Sequence, residues 1–301
     1  MVGWIDRIMN CGIKMQKTLL TATCREFYYQ PYQFRPFLES GKFSNAVSTL
    51  YGMLHRMDSG IGRILETLQT SGLADNTIVM FSSDNGPQFG GYGWGCLDRF
   101  NGHLHGAKGS VYEGGIRVPM ILRWPDGLEG GRAIDDMVHF SDWFPTLLAM
   151  VGINVPADLK IDGVDILPLL QGETGTVCTK RFWQWNRYTP LVTCNAAMRD
   201  GDWKLVRPAI AEAMAAPCCD PWLRISMYNP ERLIDNGLIP DPEPARTVPG
   251  PPPAELYNIA QVPLERTNLA EQHPDRVRRL LHDLENWFED VERERATIQD
   301  H

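Results

Sequence analysis

The most regular apolar pattern in the chain lies between residues 44 and 71. Val47, Leu50, Leu54, Met57, Ile61, Ile64, Leu65 and Leu68 recur at spacings of three and four, which puts them on one face of a helix. Ser44 can cap its start and Gly72 its end. Gly60 and Gly62 weaken the middle by about 1 kcal/mol each relative to alanine, so the stripe predicts a sheet for the helix to pack on. A short unbroken run, Ile78-Val79-Met80-Phe81, follows a turn at Asp75-Asn76 and reads as a fully buried strand. Helix, turn and buried strand form half of a βαβ unit. Residues 118–124 predict another strand. Ser141 is expected to cap a helix that runs to Met150, with Pro145 in its first turn and Gly152 as its stop. Asp165 to Leu170 reads as a helical turn closed by Gly172. Ahead of all this, residues 28–37 are aromatic and punctuated by proline, which predicts a loop.

The pattern changes after about residue 175. Arg181 to Asn186 suggests a strand, and Asn195 to Val206 a hairpin with Asp200-Gly201 in a type I′ turn. Residues 207–254 hold 11 of the 22 prolines and read as a surface excursion. Leu256-Tyr257-Asn258 returns as a strand. A last helix from Pro274 to Glu294 buries Val277, Leu280, Leu281, Leu284, Phe288 and Val291. These pieces predict a small antiparallel sheet with one covering helix. The organisation expected is an atypical segment over 1–36, an α/β core over 37–175, and a C-terminal α+β domain over 176–301. For Trp183, Trp185, Trp203 and Trp222 core packing is the first expectation and lining of a substrate cleft the alternative.

Composition narrows the partners. With 301 residues, 43% hydrophobic and 22% charged, the chain can bury a substantial core. A net charge of −8 without a basic block argues against nucleic acid. No stretch approaches the roughly 20 apolar residues of a membrane span. The start, Met1-Val2-Gly3-Trp4-Ile5-Asp6-Arg7, has neither the apolar run nor the cleavage site of a leader, so the default expectation is the cytoplasm. Seven cysteines, odd in number and without zinc spacing, read as mostly free thiols.

Chemistry concentrates between Thr77 and Pro119. Asp84-Asn85-Gly86 lies just past the predicted buried strand, the end at which open α/β sheets bind ligands. Adjacent carboxylate and amide oxygens suit a hard cation such as Ca²⁺ or Mg²⁺. Lys108, in a glycine-rich loop some two dozen residues on, can hold an anion beside that cation. Ser83-Asp84-Asn85-Gly86 followed by Lys108-Gly109-Ser110-Val111-Tyr112-Glu113-Gly114-Gly115-Ile116-Arg117-Val118-Pro119 resembles the sulfatase family, the formylglycine-dependent sulfuric ester hydrolases. Three further stretches are similar to that family in the same order: residues 142–148, residues 199–206, and Glu255-Leu256-Tyr257-Asn258 leading to Thr267-Asn268-Leu269-Ala270.

The resemblance implies an α/β fold. It is an alkaline-phosphatase-like α/β/α sandwich with a mostly parallel sheet, truncated here on its N-terminal side and followed by a small C-terminal antiparallel domain. It implies that Asp84 and Asn85 ligate Ca²⁺ or another divalent cation and that Lys108 contacts sulfate oxygens. It also implies that His105, where family members usually carry arginine, lies near the bound anion. The partner implied is a sulfated small molecule or glycan. Glu113 to Arg117 reads as loop architecture, with Arg117 bracing a carboxylate or carbonyls. The sequence departs from the family in one decisive respect. The Cys/Ser-x-Pro-x-Arg motif that becomes formylglycine is absent: Cys11 and Cys24 lack the proline. The acidic pair that supplies the remaining metal ligands is missing too. The expectation is therefore a sulfatase-type hydrolase chain that is inactive or impaired by itself. The alternatives are a sulfatase-derived anion- or partner-binding protein, self-association, and completion by a second chain carrying the missing half.

Overall fold

The computed structural model describes residues 31–91, 94–97, 99–173, 178–215 and 246–297. It divides into two compact units: Met1–Lys108 with Tyr112–Arg181, and Gly109–Val111 with Phe182–His301.

The first unit opens with helix α1, Pro31–Glu39. Its residues fall in the stretch expected to be a loop. Pro31 occupies the first helical position, where a missing N–H costs nothing, and Phe37 packs edge-on against Tyr51 of the next helix at 5.6 Å between ring centroids. Tertiary contact thus outweighs the single backbone bond forfeited at Pro36. Residues 28–30 lie outside the described residues. Helix α2, Asn45–Thr70, matches its predicted limits: Ser44 accepts from the Val47 N–H and Gly72 takes a φ of +68° after the last turn. Its stripe is buried only in the N-terminal half. Val47 and Leu50 are enclosed, whereas Met57 is 37% and Ile64 61% exposed.

Strand β1, Val79–Ser82, pairs with β4, Met120–Arg123. One expectation is corrected here: β1 is half-buried along its length rather than fully buried. The pair is antiparallel, with Val79 opposite Arg123 and Ser82 opposite Met120. Between them lie the two-residue strands β2, Gly90–Gly91, and β3, Trp94–Gly95, and the short helix α3, Glu113–Ile116. Helix α4, Trp143–Met150, follows a 3₁₀ turn over Phe140–Asp142. Ser141 caps neither element: His139 caps the 3₁₀ turn, its ring accepting from the Ser141 N–H while the Asp142 carboxylate accepts from the His139 N–H at 2.7 Å, and the N-cap position of α4 falls to Asp142. Helix α5, Leu167–Gln171, ends at Gly172 with a φ of +96°. Leu122, Met150, Ile166, Leu169 and Leu170 form the local core with Ile78 and Met80 against it. Asp142 sits fully buried beside it. It pairs with the Arg181 guanidinium and accepts from the Val164 N–H at 3.0 Å. The Asp142-to-Thr146 stretch therefore acts as a polar strut.

The second unit holds strands β5, Lys180–Gln184 (whose first two residues fall in the first unit), β6, Ala196–Asp200, β7, Trp203–Arg207, and β8, Glu255–Asn258, in that spatial order. β6–β7 and β7–β8 are antiparallel, as predicted. The hairpin turn is one residue later than expected. Asp200 pairs with Trp203, so Gly201-Asp202 are the central residues. Only Gly201 takes a positive φ, 57°, as a II′ rather than a I′ turn requires. Helix α6, Ala211–Met214, is a single turn, and helix α7, Pro274–Arg295, covers the sheet. Met198, Leu205, Leu256, Leu280 and Leu284 meet there with no solvent exposure. Phe182 stacks on Trp287 with centroids 5.0 Å apart. Beneath the sheet Lys204 and Glu265 form an ion pair at 2.8 Å with both side chains fully buried.

Candidate active site

The site residues gather around a contact between main chains, and glycine explains why it can form. At the end of β1 the Gly86 N–H donates to the Gly115 carbonyl at 2.8 Å, and the Lys108 N–H donates to the Pro87 carbonyl at 2.9 Å. In α3 the Gly114 N–H donates to the His105 carbonyl at 2.6 Å. A Cβ at Gly86 would lie 1.8 Å from the Gly114 carbonyl oxygen, and one at Gly114 would lie 2.2 Å from that of Gly106. No side chain fits either gap. Three segments (the strand end, the lysine loop and the short helix) are thus clasped backbone to backbone, which brings Asp84-Asn85 and Lys108 into one neighbourhood.

The periphery of the clasp is braced. Glu113 is buried and pairs with Arg117 at 2.7 Å, the bracing expected of that arginine. The Asn101 amide, also buried, donates to the carbonyls of Leu104 at 2.9 Å and Gly106 at 3.2 Å and so sets the path of the lysine loop. Arg99 donates to the Gln88 carbonyl at 3.2 Å. Its burial lowers the guanidinium pKa from the ordinary value, against opposing pulls from Cys96 and Tyr51. Asn101 and Arg99 were not legible in the sequence: Asn101-Gly102 reads as an ordinary turn pair, and a lone arginine carries no spacing signal.

Asp84, His105 and Lys108 are exposed, and Asn85 is half-buried. The His105 ring stacks on Tyr112 with centroids 3.9 Å apart, which fixes its plane. The Ser83 hydroxyl donates to the Asn85 carbonyl at 2.9 Å and shapes the turn. The Asn85 Oδ1 is buried and has no hydrogen-bond partner among the described residues. An amide oxygen left so would cost about 1–3 kcal/mol, and a hard cation accepts that kind of oxygen. The Asn85 oxygen is therefore of the kind that suits a hard cation, and Asp84 precedes it in the chain. Among the described residues no cluster of three or more His, Cys, Asp or Glu side chains could hold a metal, and calcium takes about six to eight oxygens.

Two family models match the chain: Sulfatase over residues 14–153, and N-sulphoglucosamine sulphohydrolase, C-terminal, over residues 103–213. Over these residues the chain belongs to the sulfatase family. A steryl-sulfatase from Mus musculus is 38% identical over 140 residues, 46% of this chain and 22% of that one. An N-acetylgalactosamine-6-O-sulfatase from Bacteroides thetaiotaomicron is 31% identical over 250 residues, 80% of this chain and 42% of that one. The chain thus spans less than half the length of these sulfatases. A solved structure from work on glycosaminoglycan metabolism by Bacteroides thetaiotaomicron shares 29% identity and a TM-score of 0.54, covering 79% of this chain and 43% of that one. The structure of i-CgsB in complex with k-i-k-neocarrahexaose shares the fold, with a TM-score of 0.64 at 21% identity over 94% of this chain and 52% of that one. These likenesses establish the alkaline-phosphatase-like α/β fold with a C-terminal sheet domain.

Proposed function

We propose that this sulfatase-family chain forms the cation- and sulfate-binding wall of a hydrolase that cleaves sulfate monoesters, R–O–SO₃⁻, to an alcohol and sulfate. The observation that carries the reading is the hydrogen bond from the Lys108 N–H to the Pro87 carbonyl at 2.9 Å, which ties the lysine loop to the strand end bearing Asp84 and Asn85. Lys108 is a point charge for sulfate oxygens and stabilises the negative charge that grows on them as the ester bond breaks. His105, held by Tyr112, lies on the same loop and contacts the anion. Asp84 and Asn85 would hold a divalent cation, calcium by family resemblance. When bound, that cation polarises the sulfate oxygens as a Lewis acid.

Relatives support the substrate class. One solved neighbour is described in complex with D-glucosamine-2-N,6-O-disulfate and another with a neocarrahexaose, which favours a sulfated sugar for this chain. The sequence lacks Cys/Ser-x-Pro-x-Arg, so we infer that this chain binds sulfate esters without turning them over unless a polypeptide bearing that motif is present.

Calorimetric titration of the purified chain with an aryl sulfate, with and without calcium, tests the reading. Binding is expected to strengthen with calcium, and Lys108→Ala to weaken it by about tenfold or more, the loss of one charge-assisted hydrogen bond. Asn85→Ala is expected to abolish the calcium dependence. Aryl sulfate binding that ignores both substitutions would remove the proposal. Turnover by the purified chain alone would refute the inferred inactivity while leaving the site in place.

A further inference from the structure

The second unit carries a surface that pairs aromatic rings with guanidinium groups. Trp185 is 41% exposed, and the Arg187 guanidinium lies over its indole at 5.4 Å from the centroid. Arg187 is itself exposed and, among the described residues, has no carboxylate partner. Tyr188 is 38% exposed and carries the Arg246 guanidinium over its ring at 5.3 Å. These four residues lie within Phe182–His301, so the whole surface belongs to that one unit.

Bonds within the same unit hold the surface in place before any ligand arrives. The Ala213 carbonyl accepts from the Arg187 N–H at 3.2 Å and from the Arg246 guanidinium at 2.9 Å, which ties the two arginine-bearing segments to one atom. The Asn186 amide donates to the Thr189 carbonyl at 2.9 Å and its oxygen accepts from the Leu191 N–H at 2.9 Å. The buried Asn195 amide donates to the Trp185 carbonyl at 2.7 Å. Tyr188 is held in the left-handed region with a φ of 58°, a conformation that a bulky residue keeps only where its surroundings impose it. Residues strained in this way concentrate where ligands are clamped.

We infer that Arg187 and Arg246, with the rings of Trp185 and Tyr188, form a carbohydrate-binding surface for an acidic saccharide, one whose pyranose units bear carboxylate groups. The Arg187 guanidinium presents paired N–H donors that match the two oxygens of a carboxylate. Its place over the indole orders it beforehand, so less side-chain freedom is lost when the anion binds. Arg246, whose donors already serve the Ala213 and Thr189 carbonyls, adds positive charge to the same loop. A pyranose also has an apolar C–H face, which suits a partly exposed aromatic ring. A nucleic acid fits less well, because the chain carries a net charge of −8 and no basic block. A neutral saccharide would leave the Arg187 donors to water, so the acidic group sets the selectivity.

A saccharide without any sulfate ester tests this surface apart from the sulfate-ester site. The purified chain is titrated calorimetrically with an oligosaccharide of uronic acid, with the same oligosaccharide after reduction of its carboxyl groups, and with acetate. The uronate oligosaccharide is expected to bind at least about tenfold more tightly than either control. Arg187→Ala should weaken it about tenfold, and Arg187→Lys should recover part of that loss, since charge returns without the planar fork. Tyr188→Asn, which suits the left-handed backbone and removes the ring, should weaken it about threefold. Lys108→Ala should leave it unchanged. Where Arg187→Ala lowers the melting temperature, Tyr188→Asn decides. No binding by the wild-type chain, equal binding of either control, a loss on Lys108→Ala, or indifference to the deciding substitution overturns this inference, and each of these results leaves the proposed function standing.

Discussion

Both units combine sheet and helix, but each is held together internally in a different way. In the second, α7 closes a four-stranded sheet over side chains with no solvent exposure at all. In the first, the described sheet around β1 has two strands, and the region that matters most chemically is clasped by peptide groups across glycines with no side chain between them. One region is a conventional apolar core, and its side chains repeat with the periods of strand and helix. The other is built from close main-chain approach, which tolerates almost no substitution yet leaves Asp84, His105 and Lys108 facing solvent. A binding site needs polar groups free to meet a ligand, so its rigidity has to come from the backbone behind them.

The sharpest way to break this contrast is at the buried ion pair. Lys204→Met leaves the Glu265 carboxylate without its cation in a fully buried position, and is expected to cost about 4 kcal/mol in urea unfolding. Replacing both partners together should cost markedly less. Leu284→Ala, which empties part of the same core, is expected to cost about 3 kcal/mol. Gly114→Ala tests the other region. Its new methyl would meet carbonyl oxygens of His105 and Gly106, so the clasp must open, at about 3 kcal/mol and with loss of aryl sulfate binding. Leu284→Ala should spare binding wherever the chain remains folded. Equal effects of the two on binding would erase the distinction drawn between the units.

A gentler probe is pH. Burial, together with the neighbouring Arg181, holds His139 below its ordinary value of 6.5, against opposing pulls from Asp142 and Asp162. The cap agrees with that direction: the ring nitrogen that accepts from the Ser141 N–H carries no proton. The unfolded chain binds the proton more readily than the folded one. Stability from this residue is therefore complete above the unfolded value and is lost as pH falls through it towards the folded value. Melting temperatures from about pH 7.5 to about 5.5 should show the decline, and His139→Asn, which keeps a capping oxygen, should remove that component. The smallest effect belongs to Ile64. It lines an open groove of about 460 Å³ with Gly60, Arg63, Thr67 and Leu68 and is 61% exposed. Ile64→Ala should change stability by no more than about 0.5 kcal/mol.

The sequence by itself determined the elements whose signal is local. The limits of α2 came from its three-four spacing with Ser44 and Gly72 at the ends, α7 from its stripe behind Pro274, and the hairpin from turn residues between β-rich runs. Asp84, Asn85 and Lys108 stood out as candidates because of their residue types near a predicted strand end and the sulfatase-like motif around them. Only the tertiary structure decided the rest. It made a helix of the proline-punctuated aromatic stretch at Pro31–Glu39, moved the hairpin turn to Gly201-Asp202, gave the cap of the 3₁₀ turn to His139, set β1 and β4 antiparallel, and placed Trp185 at the surface under Arg187. It also assigned Asn101 and Asn195 their work of holding loops. Each of these outcomes depends on partners distant along the chain, and the energy of such a contact is carried by neither residue alone.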